Sequence, residues 1–124
     1  MIFNKNITAL AKVNNFFLQV LATGANLELA VMSIPPAGET GEQVHEADQV
    51  VVFVEGEGYA AVSGERMPIA PDHLIFVPAG ILHNLINTGS ADLKLYTLYA
   101  PPEHKPGTAY TTQEESDAAQ EAAM

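Results

Sequence analysis

Two histidines and two glutamines are the side chains whose types and spacing suggest a chemical site. Gln43, His45 and Gln49 lie in the segment EQVHEADQ, and His83 lies in VPAGILHNLIN. Successive residues of a β-strand point to opposite faces, so Gln43 and His45 share a face if this segment is extended. Gln49 follows after a short excursion, and His83 has to come from another strand. Imidazole nitrogens suit divalent transition metals, and amide oxygens are weaker neutral ligands. The question is whether these four side chains meet around an ion.

The nearby acidic residues are less suited to such a site. Glu42 and Glu46 alternate away from the face that carries His45, and a β-bulge would be needed to bring Asp48 or Glu46 inward. The sequence offers no obvious base for proton transfer, so His104 or a displaced carboxylate would have to serve. For His104, in the segment PPEHKPG, two interpretations are open: the side chain covers the mouth of the site, or it lies in a surface loop.

The composition describes one acidic globular domain. The chain has 124 residues, 48% of them hydrophobic, and a net charge of -10 with five lysine and arginine residues. So few basic residues exclude the clusters that bind nucleic acid or an anionic membrane surface. The absence of cysteine excludes disulfides and thiolate metal sites and fits a reducing cytoplasm. No apolar run is long enough to span a bilayer, and the stretch after Lys12 is too interrupted for a secretory signal, so we expect a cytoplasmic protein.

Most of the chain predicts short β-strands. Ser63-Gly64 predicts a tight hairpin, and the alternation in LKLYTLY places Leu93, Leu95, Thr97 and Tyr99 on one face. The connections are too short for crossover helices, so we expect an all-β sandwich or barrel rather than a parallel α/β sheet. The segments that predict strands are FFLQVL (16–21), LELAVMSI (27–34), QVVVFVE (49–55), YAAVS (59–63), LIFVP (74–78), LHNLIN (82–87) and LKLYTLY (93–99).

Short helices are expected at both ends of the strand-rich region. The segment ITALAK predicts one near the N-terminus. After APPEHKPG the sequence becomes acidic and helix-favouring, and Thr112 with Glu115 can form a capping box. The alternative is a solvated tail. The domain organisation is therefore an N-terminal extension over 1–26, a barrel over 27–100, and a C-terminal loop and acidic tail over 101–124.

The sequence resembles the cupin superfamily of small β-barrels, and its first motif is degenerate here. The family pattern is a glycine, five or six residues, H-x-H, three or four residues, a glutamate, six residues and a glycine. The residues of this chain at those positions are Gly38 or Gly41, Gln43, His45, Gln49 and Gly56.

The second cupin motif is the more specific match. Its pattern is G-x5-P-x-G-x2-H-x3-N. Asp72 replaces the first glycine, and Pro78, Gly80, His83 and Asn87 all match. The chain also looks like a group of single-domain cupins that is loosely labelled mannose-6-phosphate isomerase-like, although that label is no evidence of isomerase activity.

The resemblance implies an all-β cupin double-stranded β-helix (jelly-roll) barrel with short helical N- and C-terminal extensions. It implies one divalent transition metal per chain, which could be Fe, Mn, Ni, Zn or Cu, held by Gln43, His45, Gln49 and His83 at the barrel mouth. It also implies a homodimer and a small-molecule substrate or ligand.

Three functions follow as hypotheses. The first is a metal-dependent enzyme of the isomerase, lyase or dioxygenase type. The second is a non-catalytic module that binds a sugar or another small molecule. The third is a dimeric scaffold with an empty, metal-free cavity.

Overall fold

The computed structural model describes residues 2–122. Strands are the main regular structure of these residues, as the sequence predicts, and each strand prediction is confirmed to within two residues at either end. The elements in chain order are α1 (Ile7–Val13), β1 (Leu18–Thr23), β2 (Glu28–Ile34), β3 (Asp48–Glu55), β4 (Gly58–Val62), β5 (Glu65–Ile69), β6 (Leu74–Val77), β7 (His83–Asn87), β8 (Leu93–Ala100), β9 (Ala109–Tyr110) and α2 (Gln113–Ala122).

The strands form two antiparallel sheets in a jelly-roll arrangement. The larger sheet has the order β6-β3-β8-β2-β1-β9, and the smaller has the order β5-β4-β7. The predicted hairpin is confirmed, because Val62 pairs with Glu65 across Ser63-Gly64 and both turn residues have positive φ. Strand β9 was not predicted, since two residues carry too little pattern to mark a strand. Strands β1 and β9 pair with each other, so both chain extensions join the larger sheet.

Alternation along β8 places one row of side chains in the interior. Leu93, Leu95 and Thr97 are completely buried and Tyr99 nearly so, which confirms the shared face predicted for this strand. Phe53 of the neighbouring β3 is packed in the same core. Complete burial of such a leucine or phenylalanine contributes about 1.5–3 kcal/mol, so this face stabilises both the sheet and the positions of its polar members.

Both predicted helices form. In α1 the Asn6 side chain caps the helix by accepting a hydrogen bond from the Ala9 N–H at 3.0 Å. At the start of α2 the Thr112 hydroxyl accepts from the Glu115 N–H at 3.2 Å, as in a capping box. The Glu115 carboxylate accepts from the Thr111 N–H at 2.7 Å rather than from the Thr112 N–H. The last two residues of the predicted C-terminal tail, 123 and 124, lie outside the described residues. Within residues 2–122, neither helix has the length and apolarity to cross a membrane.

Candidate metal centre

Three of the four predicted ligands come from different segments that face the interior between the two sheets. His45 precedes β3, Gln49 is the second residue of β3, and His83 is the first residue of β7. All three are buried. The ring centroids of His45 and His83 lie 5.1 Å apart. Tyr99 ties Gln49 to this pair, because its hydroxyl lies 3.2 Å from the Gln49 amide nitrogen and its ring packs edge-on against His45.

A carboxylate fixes the orientation of His45. Glu103 Oε1 lies 3.0 Å from His45 Nδ1. The hydrogen bond from His45 lowers the pKa of Glu103, so this group is an ionised acceptor and His45 Nδ1 is the donor. The Nε2 atom of His45 then carries the lone pair. A carboxylate or carbonyl on the far nitrogen is the usual partner of a metal-binding histidine.

His83 is held in the same tautomer by the backbone. Its Nδ1 donates to the Ile81 carbonyl at 2.9 Å, which leaves the lone pair on Nε2. Burial lowers the pKa of His83 and outweighs the hydrogen bond to the Ile81 carbonyl, which raises it; the neighbouring His45 lowers it further. The neutral form is the one that binds a metal.

The amide of Gln49 has an orientation that its neighbours determine. The Thr97 hydroxyl donates to the Val50 carbonyl at 2.9 Å, so toward Gln49 it can only accept. The Gln49 Nε2 group therefore donates to Thr97 at 3.0 Å and to the Tyr99 hydroxyl at 3.2 Å. Burial raises the pKa of Tyr99, so that hydroxyl stays neutral. Both amide hydrogens are used, and the carbonyl oxygen Oε1 is left free.

These three side chains leave three buried lone pairs without a donor. Among the described residues four buried side-chain nitrogen or oxygen atoms have no hydrogen-bond partner, and three of them are His45 Nε2, His83 Nε2 and Gln49 Oε1. Leaving a buried polar atom unpaired costs about 1–3 kcal/mol. Acceptors cannot satisfy one another, whereas a divalent cation between them would accept two imidazole nitrogens and an amide oxygen as ligands. The donor set therefore fits a transition metal ion.

Gln43 is positioned differently from the other three. Its backbone forms a two-hydrogen-bond bridge with His83, with N···O distances of 2.8 and 3.0 Å, but its side chain is only half-buried and lines an adjacent cavity. The acidic neighbours face outward, as the alternation predicts: Glu42 and Glu46 are exposed, and Asp48 accepts from the Ala79 N–H at 2.9 Å. In residues 2–122 no group of three or more histidine, cysteine, aspartate or glutamate side chains is arranged to hold an ion.

Gly80 and Asn87 of the second motif hold the centre in position through hydrogen bonds to backbone atoms. Gly80 has φ +82°, a conformation that favours glycine, and its N–H donates to the His45 carbonyl at 2.9 Å. The Asn87 side chain donates to the Ile34 and Ala91 carbonyls at 2.8 and 2.9 Å. These contacts fix the segments that carry His45 and His83.

A cavity of about 720 Å³ adjoins His45, a size that suits a small organic molecule. The C-terminal segment builds much of its wall: Glu103, His104, Lys105, Thr108 and Tyr110 contribute, as do Ala119 and Gln120 of α2. The His104 side chain is 12% exposed. The structure therefore favours the interpretation in which this side chain covers the mouth of the site over the one in which it lies in a surface loop.

Two carboxylates at the site were not predicted from the sequence. Glu103 adjoins His45 only because of the path that the chain takes after β8. Glu28 was detectable, since it is the one charged residue on the inward face of β2 that also carries Ala30, Met32 and Ile34, and it is completely buried. A charged residue in an apolar row is rarely buried without a partner.

The chain is similar to a known protein family and to several individual proteins. The model of the Cupin domain family matches residues 30–99. An uncharacterized protein of Bacillus subtilis, YrkC, is 35% identical over 96% of this chain and 68% of its own length. The crystal structure of BH2720 from Bacillus halodurans has a TM-score of 0.91 and 35% identity, covering 94% of this chain and 93% of that one. TT1209 from Thermus thermophilus has a TM-score of 0.70 and 26% identity, with coverage of 79% and 96%.

Proposed function

Because the chain belongs to the cupin family, we propose that it binds one divalent transition metal ion and acts on a small organic molecule in the adjoining cavity. His45 Nε2, His83 Nε2 and Gln49 Oε1 are the proposed ligand atoms. Gln43 is a fourth candidate, because its half-buried side chain lines the cavity together with His45. The ion is of the Fe, Mn, Ni, Zn or Cu class, since these accept imidazole nitrogen.

One observation carries the proposal: three buried lone pairs face the interior and no described donor meets them. A bound divalent ion would supply Lewis acidity toward an oxygen of the organic molecule. Histidine and glutamine ligands are neutral, so they leave the charge of the ion undiminished. The reaction types compatible with this chemistry are isomerisation, lyase chemistry and dioxygenation.

The protein's own residues prepare the site in two ways. Glu103 keeps the His45 lone pair on Nε2, and the Ile81 carbonyl does the same for His83. Neither ring has to rotate or lose a proton when the ion binds. Preorganisation of this kind lowers the cost of binding.

Elemental analysis of protein prepared without an affinity tag tests this proposal. The wild-type protein should hold about one transition metal ion per chain, after incubation with candidate ions if necessary. The double variant His45→Ala/His83→Ala should hold none. His73→Ala is the matched control, because His73 is exposed and is not among the residues that line the cavity. Equal metal content in the wild type and the double variant would contradict the proposal.

A non-catalytic binding module is the second candidate function. It is favoured by the donor set, which lacks the carboxylate that would bind an ion more strongly. A small molecule or sugar would then bind in the cavity with or without metal. A ligand that raises the melting temperature equally in metal-free and metal-loaded protein would favour this module over the enzyme.

We further propose that the protein is a cytoplasmic homodimer. Strand β6 is an edge of the larger sheet, and its Leu74 and Phe76 side chains are 58% and 57% exposed. Apolar side chains on an open edge are typical of an association surface. Light scattering on the variant Leu74→Glu/Phe76→Glu should show a monomer where the wild type is a dimer, while Leu27→Glu, at another exposed leucine, should leave the dimer intact. A monomeric wild type would contradict the proposal.

A further inference from the structure

A second pair of carboxylate and imidazole lies beside the candidate metal centre. Glu28 Oε2 is 2.9 Å from His104 Nδ1. Glu28 Oε1 accepts from the backbone N–H groups of Glu103 and His104 at 3.0 and 2.7 Å. Glu28 is completely buried, and these three contacts satisfy it.

The contacts of Glu28 determine the tautomer of His104. An ionised carboxylate can only accept, so His104 Nδ1 carries the hydrogen and Nε2 carries the lone pair. Among the described residues Nδ1 is the ring nitrogen of His104 with a hydrogen-bond partner. The residue lines the cavity of about 720 Å³, and Nε2 is the ring nitrogen that Glu28 leaves unoccupied. A buried carboxylate that orients an imidazole in this way is the arrangement of a general base.

His104 lines that cavity together with His45 of the candidate centre. Tyr99 lies between them, and its ring centroid is 5.4 Å from that of His45 and 5.4 Å from that of His104. Both histidines line the cavity. A small molecule in the cavity can therefore contact both the His45 side and His104.

We propose that His104, oriented by Glu28, is the group that takes a proton from the bound molecule and returns it. The substrate class is a small carbonyl compound with a hydrogen on the carbon next to the carbonyl group. His104 Nε2 forms an N–H bond as the C–H bond breaks, the C–H electron pair becomes the C=C bond of an enolate, and the carbonyl π pair moves to oxygen. Return of the proton to the same carbon restores the carbonyl compound, and its return to the enolate oxygen gives the enol. This inference rests on the proposed function for the orientation of the carbonyl.

The four histidines of the chain allow a test in metal-free protein. Diethyl pyrocarbonate acylates an unprotonated imidazole nitrogen, and mass spectrometry of peptides identifies the modified residue. His104 should react, as should the exposed reference His73, whereas His45 and His83 should be protected because their lone pairs are buried. An unreactive His104 would overturn the inference.

The variant Glu28→Gln separates a base-orienting role from a purely structural one. The new amide oxygen can still accept the two backbone N–H groups, but its NH2 group then faces His104 Nδ1. The tautomer of His104 should switch, so that Nε2 carries the hydrogen. Nitrogen NMR should show this switch, and modification of His104 should be lost while His73 still reacts. An unchanged tautomer and unchanged reactivity in a folded variant would show that Glu28 only anchors the loop.

Hydrogen–deuterium exchange tests the transfer itself. Metal-loaded protein in deuterated water is incubated with pyruvate or dihydroxyacetone, and proton NMR follows loss of the hydrogens next to the carbonyl. Exchange should be lost in His104→Gln at unchanged metal content and should persist in His73→Gln. Exchange that persists in His104→Gln, or that is absent from metal-loaded wild type with both probes, overturns the inference. Absence of metal from the wild type contradicts the proposed function instead, and leaves the modification result to decide the role of Glu28.

Discussion

Removal of the Glu103 carboxylate should weaken metal binding without removing any ligand. Glu103 Oε1 accepts from His45 Nδ1 at 3.0 Å, and the Glu103 side chain is 27% exposed. The hydrogen-bond partner of a ligating histidine typically contributes a factor of about 10 to 100 in metal affinity. Because water can partly replace an exposed partner, we expect Glu103→Ala to lose roughly 10- to 30-fold, or about 1.4 to 2 kcal/mol.

Competitive titration of zinc against a chromophoric chelator measures this loss. Glu103→Gln should lose less, because its amide oxygen can still accept from His45. Glu46→Ala is the matched control, since it removes the same charge from an exposed position near His45 in sequence. Equal affinities of the Glu103→Ala and Glu46→Ala proteins would refute the reasoning, because the effect would then be one of net charge and not of histidine orientation.

Three further predictions concern single residues. Gln49→Glu should strengthen zinc binding, because a carboxylate is a stronger ligand than an amide. It should also lower the melting temperature of the metal-free protein, because it buries a charge. An unchanged melting temperature of the metal-free variant would contradict this. Gly58→Ala should lower the free energy of unfolding in urea by about 3 kcal/mol or more, because a Cβ there would lie 2.0 Å from the Ile86 carbonyl oxygen. Gly24→Ala is the control and should cost much less, because its Cβ would lie 3.6 Å from the nearest atom. Burial lowers the pKa of His83, so the unfolded chain binds a proton there more readily than the folded one. The melting temperature of the metal-free protein should therefore fall as the pH drops below about 6.5, and it should fall less in His83→Asn. An equally steep dependence of the melting temperature on pH in His83→Asn would contradict this.

The prediction of the fold from the sequence succeeded where a local pattern carried the information. Alternation along LKLYTLY identified the buried face of β8, and Ser63-Gly64 identified the β4–β5 hairpin. Strand β9 was missed because its two residues form a strand only by pairing with Leu18 and Gln19 of β1. A strand of that length has no period of its own.

The carboxylates at the site were missed for a different reason. Glu103 lies 58 residues from the histidine that it orients, and Glu28 lies 76 residues from His104. Neither distance along the chain corresponds to a recurring spacing within one helix or strand. These pairs form only when the segment after β8 folds back across the end of β2.

The sequence by itself determined which side chains are available for chemistry: two histidines and two glutamines in degenerate and specific motifs, with no cysteine. Tertiary structure decided which atoms of those side chains are free. The hydrogen bond to the Thr97 hydroxyl determines the orientation of the Gln49 amide. Hydrogen bonds to Glu103 and to the Ile81 carbonyl determine the tautomers of His45 and His83. A sequence specifies a residue type, whereas the direction of a lone pair depends on hydrogen bonds to neighbours that folding brings together.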